Sequence, residues 1–213
     1  MTPAAERPYR VFLLSPAKAS GERARMVLNP AAEFPLAVRL RRAGAPLGEV
    51  FAFSSGLYFR GKLAYSEAFA SAPPGVPGAL VITPGRGLVP PWQVVTVAEL
   101  EEMARVPVDA TVPHYREPLA RHARILYEAI GSDCALVLLG SVATPKYLEP
   151  LLDIFGCRQL FPAEFVGRGD MSRGGLLLRC AAAGVELNYV PALNSVRHGP
   201  RPPKLPRPPR TGR

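Results

Sequence analysis

The side chains best suited to chemistry cluster in Phe165–Arg179, which reads Phe-Val-Gly-Arg-Gly-Asp-Met-Ser-Arg-Gly-Gly-Leu-Leu-Leu-Arg. A loop with Gly167 and Gly169 precedes an apolar helical pattern, so Asp170 reads as an N-cap. Ser172 and Arg173 then fall in the first helical turn, where free backbone N–H groups and the positive end of the helix dipole favour an anion. Arg168 and Arg173 flanking such an N-terminus repel it electrostatically unless something negative joins them. A phosphate or carboxylate completes the arrangement. A solvated, arginine-rich turn is the plain alternative.

Acid–base chemistry has fewer candidates. His122 lies among arginines on a helical pattern and His198 in a basic tail, which leaves His114, in Val-Pro-His-Tyr-Arg-Glu-Pro, as the histidine in a loop. With Asp109, Tyr115 and Glu117 it forms the best acid–base cluster. Lys18 is a second catalytic candidate if desolvated, although phosphate binding is the commoner use of a lysine. No His-x-x-x-His pair, Walker loop or Gly-x-Gly-x-x-Gly follows a strand, so no metal and no cofactor is expected. Cys134, Cys157 and Cys180 lie in apolar runs without Cys-x-x-Cys spacing and read as reduced core residues.

The formal charge of +9 is unevenly placed. Six of the 26 basic residues lie between Arg197 and Arg213 with no acid among them, which leaves the body 20 basic against 17 acidic side chains. Six prolines make this tail extended, partly polyproline-II-like and disordered. It suits non-specific phosphate-backbone binding, a solubilising role or docking through the P-x-x-P of Pro203–Pro206. Only four basic residues are lysines (Lys18, Lys62, Lys146 and Lys204) against 22 arginines. The three in the body each sit in a short Gly- or Pro-containing segment beside an apolar run, and a compact ammonium is not interchangeable with a guanidinium at a tight site. The 48% hydrophobic content supports one substantial core. No apolar run reaches membrane-spanning length, and the Met-Thr-Pro-Ala-Ala-Glu-Arg start lacks secretory order, so a cytoplasmic protein without a membrane partner is expected.

The elements that must position these residues alternate. Strands are predicted at Val11–Leu14, Glu49–Phe53, Ala79–Ile82, Cys134–Leu139, Gln159–Phe161 and Glu186–Val190. Helices are predicted at Ala31–Arg42, Leu57–Phe69, Val97–Ala104, Glu117–Ile130, Pro145–Phe155 and Asp170–Ala183. Cys134–Leu139, apolar at six successive positions, has the pattern of a buried parallel strand. The fold class expected is therefore α/β, a single domain over residues 1–196 with a mostly parallel or mixed sheet covered by helices, followed by the tail of 197–213. Ligands in such folds bind beyond the carboxyl ends of the strands. The residues that follow those ends are Ser15 and Lys18, Ser54–Gly56, Thr83 with Arg86, Gly140 with Ser141 and Lys146 beyond it, and Gly167–Arg173. Turn residues alone explain the Gly, Ser and Thr, but not the excess of Lys and Arg.

Two of these segments also carry a family resemblance. Leu-Ser-Pro-Ala-Lys at 14–18 and Arg-Gly-Asp-Met-Ser-Arg at 168–173 resemble the YaaA family of peroxide-stress proteins, which has Ser-Pro-Ala-Lys early and Arg-Gly-x-Met-Ser-Arg late. Ile82–Val89 takes the place of that family's Ser-Gly-Leu-Tyr-Gly segment, reading Gly-Arg-Gly-Leu at 85–88, and Gly140–Leu148 that of its Ser-x-x-Tyr segment, with Tyr147 the matching tyrosine. The chain is shorter than the family, and the Arg/Pro tail is not a family feature. The resemblance implies an α/β cytoplasmic protein that binds DNA and is linked to protection from oxidative damage. Small relatives of this type also look like accessory domains of nucleobase-modifying enzymes.

The expected partner is nucleic acid, DNA ahead of RNA, or a phosphate-bearing small molecule. It would be held by Ser15, Lys18, Arg86, Ser141, Lys146, Arg168, Ser172 and Arg173. The alternative is an enzyme acting on a nucleobase or nucleotide, with His114 or Lys18 as acid or base, and a third reading is an interaction module docking through the tail.

Overall fold

A computed structural model of the chain describes residues 9–203 and Leu205. Residues 1–8, Lys204 and residues 206–213, and with them most of the predicted basic tail and half of its P-x-x-P spacing, lie outside the described residues. In chain order the elements are β1 (Tyr9–Leu14), α1 (Glu22–Leu28), α2 (Pro35–Ala43), β2 (Ala45–Pro46), α3 (Leu47–Ser55), α4 (Leu57–Phe69), β3 (Ala79–Thr83), β4 (Gly87–Val89), β5 (Val94–Val95), α5 (Val97–Arg105), α6 (Pro113–Ala129), β6 (Cys134–Leu139), α7 (Pro145–Phe155), β7 (Gln159–Pro162), α8 (Asp170–Ala183) and β8 (Tyr189–Pro191). No helix among the described residues is long and apolar enough to cross a membrane.

The main sheet has the order β4-β3-β1-β6-β7-β8. Its four inner strands run parallel, and β4 and β8 close the edges antiparallel, so the fold is α/β with a mixed sheet. Successive residues of each inner strand enter different cores. Phe12, Leu14, Val81, Val137 and Leu139 face α1–α5 and α8, whereas Val11, Leu13, Ile82, Leu136 and Leu138 face α6 and α7. Burial on both faces is why these strands read as continuous apolar runs. The chain leaves β1 toward β3 on one side and leaves β6 toward β7 on the other. The paired carboxyl ends of β1 and β6 therefore form the switch point of the sheet.

Five expectations need correction. Glu49–Phe53 is not a strand but part of α3, a helix buried at Leu47, Gly48, Val50 and Phe51. A short helix covered on several sides presents the same apolar run as a buried strand. The loop after β3 returns as β4: Gly87, at φ 69°, completes the turn, and the Thr83 hydroxyl donates to the Gly87 carbonyl at 2.8 Å. Helix α6 begins at Pro113, before its internal Pro118, so His114 lies in a first helical turn rather than in a loop. At α8 the N-cap is Gly169, and Asp170 is the first helical residue. Cys157, in a short turn after α7, is exposed rather than part of the core.

Helices α4 and α8 cross unusually closely because glycine occupies both contact points. A Cβ at Gly61 would lie 2.7 Å from the Gly174 carbonyl oxygen, and one at Gly174 would lie 2.7 Å from the Leu57 carbonyl oxygen and from Tyr58 Cα. Side chains adjacent to those glycines, Lys62 and Arg173, are consequently enclosed.

Candidate functional site

Beyond the switch point lies a cavity of about 540 Å³, lined by the Ser15–Ser20 loop, Ser54 and Ser55 from α3, Tyr58 from α4, Ser141, Lys146 and Tyr147 from the β6–α7 segment, and Asp170 from α8. Ser15 N–H donates to the Leu139 carbonyl at 3.2 Å, which extends the β1–β6 pairing by one residue. A Cβ on Gly140 would sit 2.9 Å from that of Ser15, so only glycine lets the two strand ends meet.

Beneath this floor is Lys62, 1% exposed. Its ammonium donates to the Ser15 carbonyl at 2.7 Å and to Ser15 Oγ at 2.9 Å, and lies 4.1 Å from the centre of the Tyr58 ring. Burial lowers its pKa from the ordinary 10.5 to about 7, with Asp170 opposing the shift and Arg173 adding to it. Tyr58 and Tyr147 are also buried, and desolvation pushes both phenols well above their ordinary value, so each remains a hydrogen-bond donor. The proton of the buried Tyr58 hydroxyl has no acceptor among the described residues, while the Arg173 guanidinium beside it acts against the upward shift. A buried donor left unmade is costly, and a polar ligand in the adjoining cavity would satisfy it.

Cations divide sharply by type. All six ion pairs among the described residues use arginine, and none uses lysine. Lys18 and Lys146 instead line the cavity, so the three body lysines converge on one place.

Of the residues expected to bind phosphate, Ser15, Lys18, Ser141 and Lys146 share this cavity. Arg173 lies behind it, donating from Nε and Nη2 to the Phe165 carbonyl (3.3 and 3.1 Å) and from Nη1 to Asp170 Oδ1 at 3.4 Å. Arg168 donates to the Glu164 carbonyl and to Ser172 Oγ, so protein acceptors occupy both arginines of the loop. Arg86 pairs with Glu99 at 2.7 Å and lines a second cavity of about 440 Å³, which also contains His114 and Glu117. The His114 cluster is only partly assembled. Asp109 is held by the Thr111 N–H and hydroxyl, and Tyr115 is turned into the core, donating to the Lys146 carbonyl at 2.9 Å.

Sequence reasoning missed Tyr58, Lys62 and Tyr147 as a set. The available signal was the i, i+4 spacing of Tyr58 and Lys62 around Gly61, since a glycine inside a helix marks close approach of another backbone. No protein-family model matches the chain, and comparison with curated proteins and with solved structures gives no match.

Proposed function

We propose that the chain is a YaaA-like nucleic-acid-binding protein, of the kind linked to DNA protection under oxidative stress, whose switch-point cavity seats a phosphate or nucleotide. The observation that carries this reading is the convergence of Lys18, Lys62 and Lys146 with the Tyr58 hydroxyl, the lysines without an ion pair and the hydroxyl without an acceptor among the described residues. Lys18 and Lys146 supply charge for an anion, and the Ser15, Ser141, Tyr58 and Tyr147 hydroxyls supply neutral donors. The basic tail adds salt-sensitive, sequence-independent attraction.

A second reading, an enzyme acting on a nucleobase or nucleotide, is favoured by Lys62: a desolvated lysine near neutrality is an available base. The test is fluorescence anisotropy of a labelled single-stranded DNA with the full chain, at low and physiological salt. The chain carrying Lys18→Ala and Lys146→Ala is compared with one whose six tail cations are replaced by Gln. Binding weakened about tenfold or more by the lysine pair supports the cavity, since tenfold corresponds to about 1.4 kcal/mol. Binding lost only with the tail cations would refute it.

A further inference from the structure

We propose that Ser15 and Lys62 form a serine–lysine dyad, in which Ser15 Oγ is a nucleophile toward an acyl carbon and Lys62 Nζ is its base. The inferred substrate is an ester or amide of a phosphate-bearing molecule. The substrate's anchor rests on the cavity reading above, whereas the dyad rests on its own geometry.

Ser15 lines the cavity and is 4% exposed, while Lys62 reaches the same hydroxyl from behind at 2.9 Å. The Ser15 carbonyl accepts a second hydrogen bond from Nζ at 2.7 Å and fixes the amine. A nucleophile whose base is oriented by a third group is the general arrangement of activated hydroxyls. A purely structural lysine buried this deeply would be expected to meet a carboxylate, and no carboxylate oxygen lies within ion-pair distance of Lys62 among the described residues. The charged and titratable groups around the pair are Tyr58 on α4, Asp170 and Arg173 on α8, and Tyr147 on α7. Burial outweighs them, so the amine is substantially neutral near pH 7 and able to accept a proton.

In the reaction, Ser15 Oγ bonds to the acyl carbon as its proton passes to Lys62 Nζ. The carbonyl oxygen gains a single negative charge, for which the Tyr58 hydroxyl is a free donor. Collapse breaks the bond to the alcohol or amine, which leaves with the proton from Lys62. Water then attacks the Ser15 ester as its proton passes to Lys62, and collapse breaks the acyl bond to Ser15 Oγ, which takes that proton back from Lys62 as the acid is released. A developing monoanion facing neutral hydroxyls favours acyl over phosphoryl transfer. Lys18 and Lys146 hold the distal phosphate.

The full chain should be incubated with a fluorophosphonate probe, which exchanges its P–F bond for a bond to an activated serine oxygen, and the modified residue found by peptide mass spectrometry. Labelling at Ser15, absent in Ser15→Ala, is expected to rise to a plateau through about pH 7. Lys62→Met should slow it by about 100-fold or more, and Lys62→Arg should not restore it, because a guanidinium cannot accept the proton. Circular dichroism checks the fold of each variant. If Lys62→Met fails to fold, the wild-type pH profile decides, and a flat profile overturns the dyad. No labelling of the folded wild type, labelling elsewhere, or labelling indifferent to a folded Lys62→Met also overturns it. Calorimetric ATP binding to the wild type separates the two readings: binding without labelling defeats the dyad alone, and labelling without ATP binding defeats the phosphate cavity alone.

Discussion

The two ends of α4 bury comparable polar groups and treat them in opposite ways. Toward its C-terminus Tyr65 is enclosed in a closed network: its hydroxyl lies 2.6 Å from that of Tyr189 and accepts the Leu187 N–H at 2.9 Å. Tyr189 in turn donates to Glu186, which pairs with Arg10 at 2.9 Å. Toward its N-terminus Tyr58 has no partner and Lys62 no counter-ion among the described residues. The closed end fastens the last strand to the body. The open end adjoins the cavity, and a buried group left unsatisfied beside a cavity indicates a ligand, because otherwise its desolvation is uncompensated.

The contrast can be broken most severely where α4 meets α8. Gly174→Leu would drive a side chain into the Leu57–Tyr58 backbone, displace both ends, and cost about 3 kcal/mol or more in urea unfolding. Gly175, whose Cβ would meet only ordinary contact, should tolerate Ala with a gain of about 0.5–1 kcal/mol, so a similar loss there would contradict this account of the crossing.

Lys62→Met sharpens the contrast through pH. With a folded pKa of about 7 and an ordinary value of 10.5, Lys62 opposes folding fully below about 7, and that penalty is relieved as pH rises through the window to 10.5, where only the unfolded chain is protonated. Wild-type stability should therefore gain on Lys62→Met by up to about 1.4 kcal/mol per pH unit across the window. A constant difference between the two proteins would contradict the burial argument.

Tyr65→Phe should cost about 1–3 kcal/mol, by orphaning the buried Leu187 N–H, and leave ligand affinity unchanged. Tyr58→Phe should have the opposite sign and stabilise the ligand-free protein by about 1 kcal/mol, because it removes a buried donor that no acceptor among the described residues satisfies. Thermal and urea unfolding check both.

Much of the frame was legible because its periodicities are strong: Leu57–Phe69, Cys134–Leu139, Pro145–Phe155 and Asp170–Ala183 were bounded from pattern alone. Glu49–Phe53 was not, since burial on several sides erases the difference between strand and helix. The alternation of strands and helices put a ligand crevice beyond the strand carboxyl ends, and Ser15, Lys18, Ser141 and Lys146, which follow those ends, line the cavity. Lys62 stood out by its rarity among arginines but not by its place. Its burial depends on Gly61 meeting Gly174, a contact 113 residues apart in the chain that no local pattern records. The partners of Arg168 and Arg173 were not legible either, since they are backbone carbonyls and neighbouring side chains that only the folded loop and helix bring within reach.

The most direct measurement is calorimetric ATP binding to the wild type, Tyr58→Phe and Tyr65→Phe. Saturable binding weakened about tenfold by Tyr58→Phe and unaltered by Tyr65→Phe is the predicted result. Equal binding by all three, or no binding by the folded wild type, would contradict the assignment of the open end of α4 as a phosphate or nucleotide site.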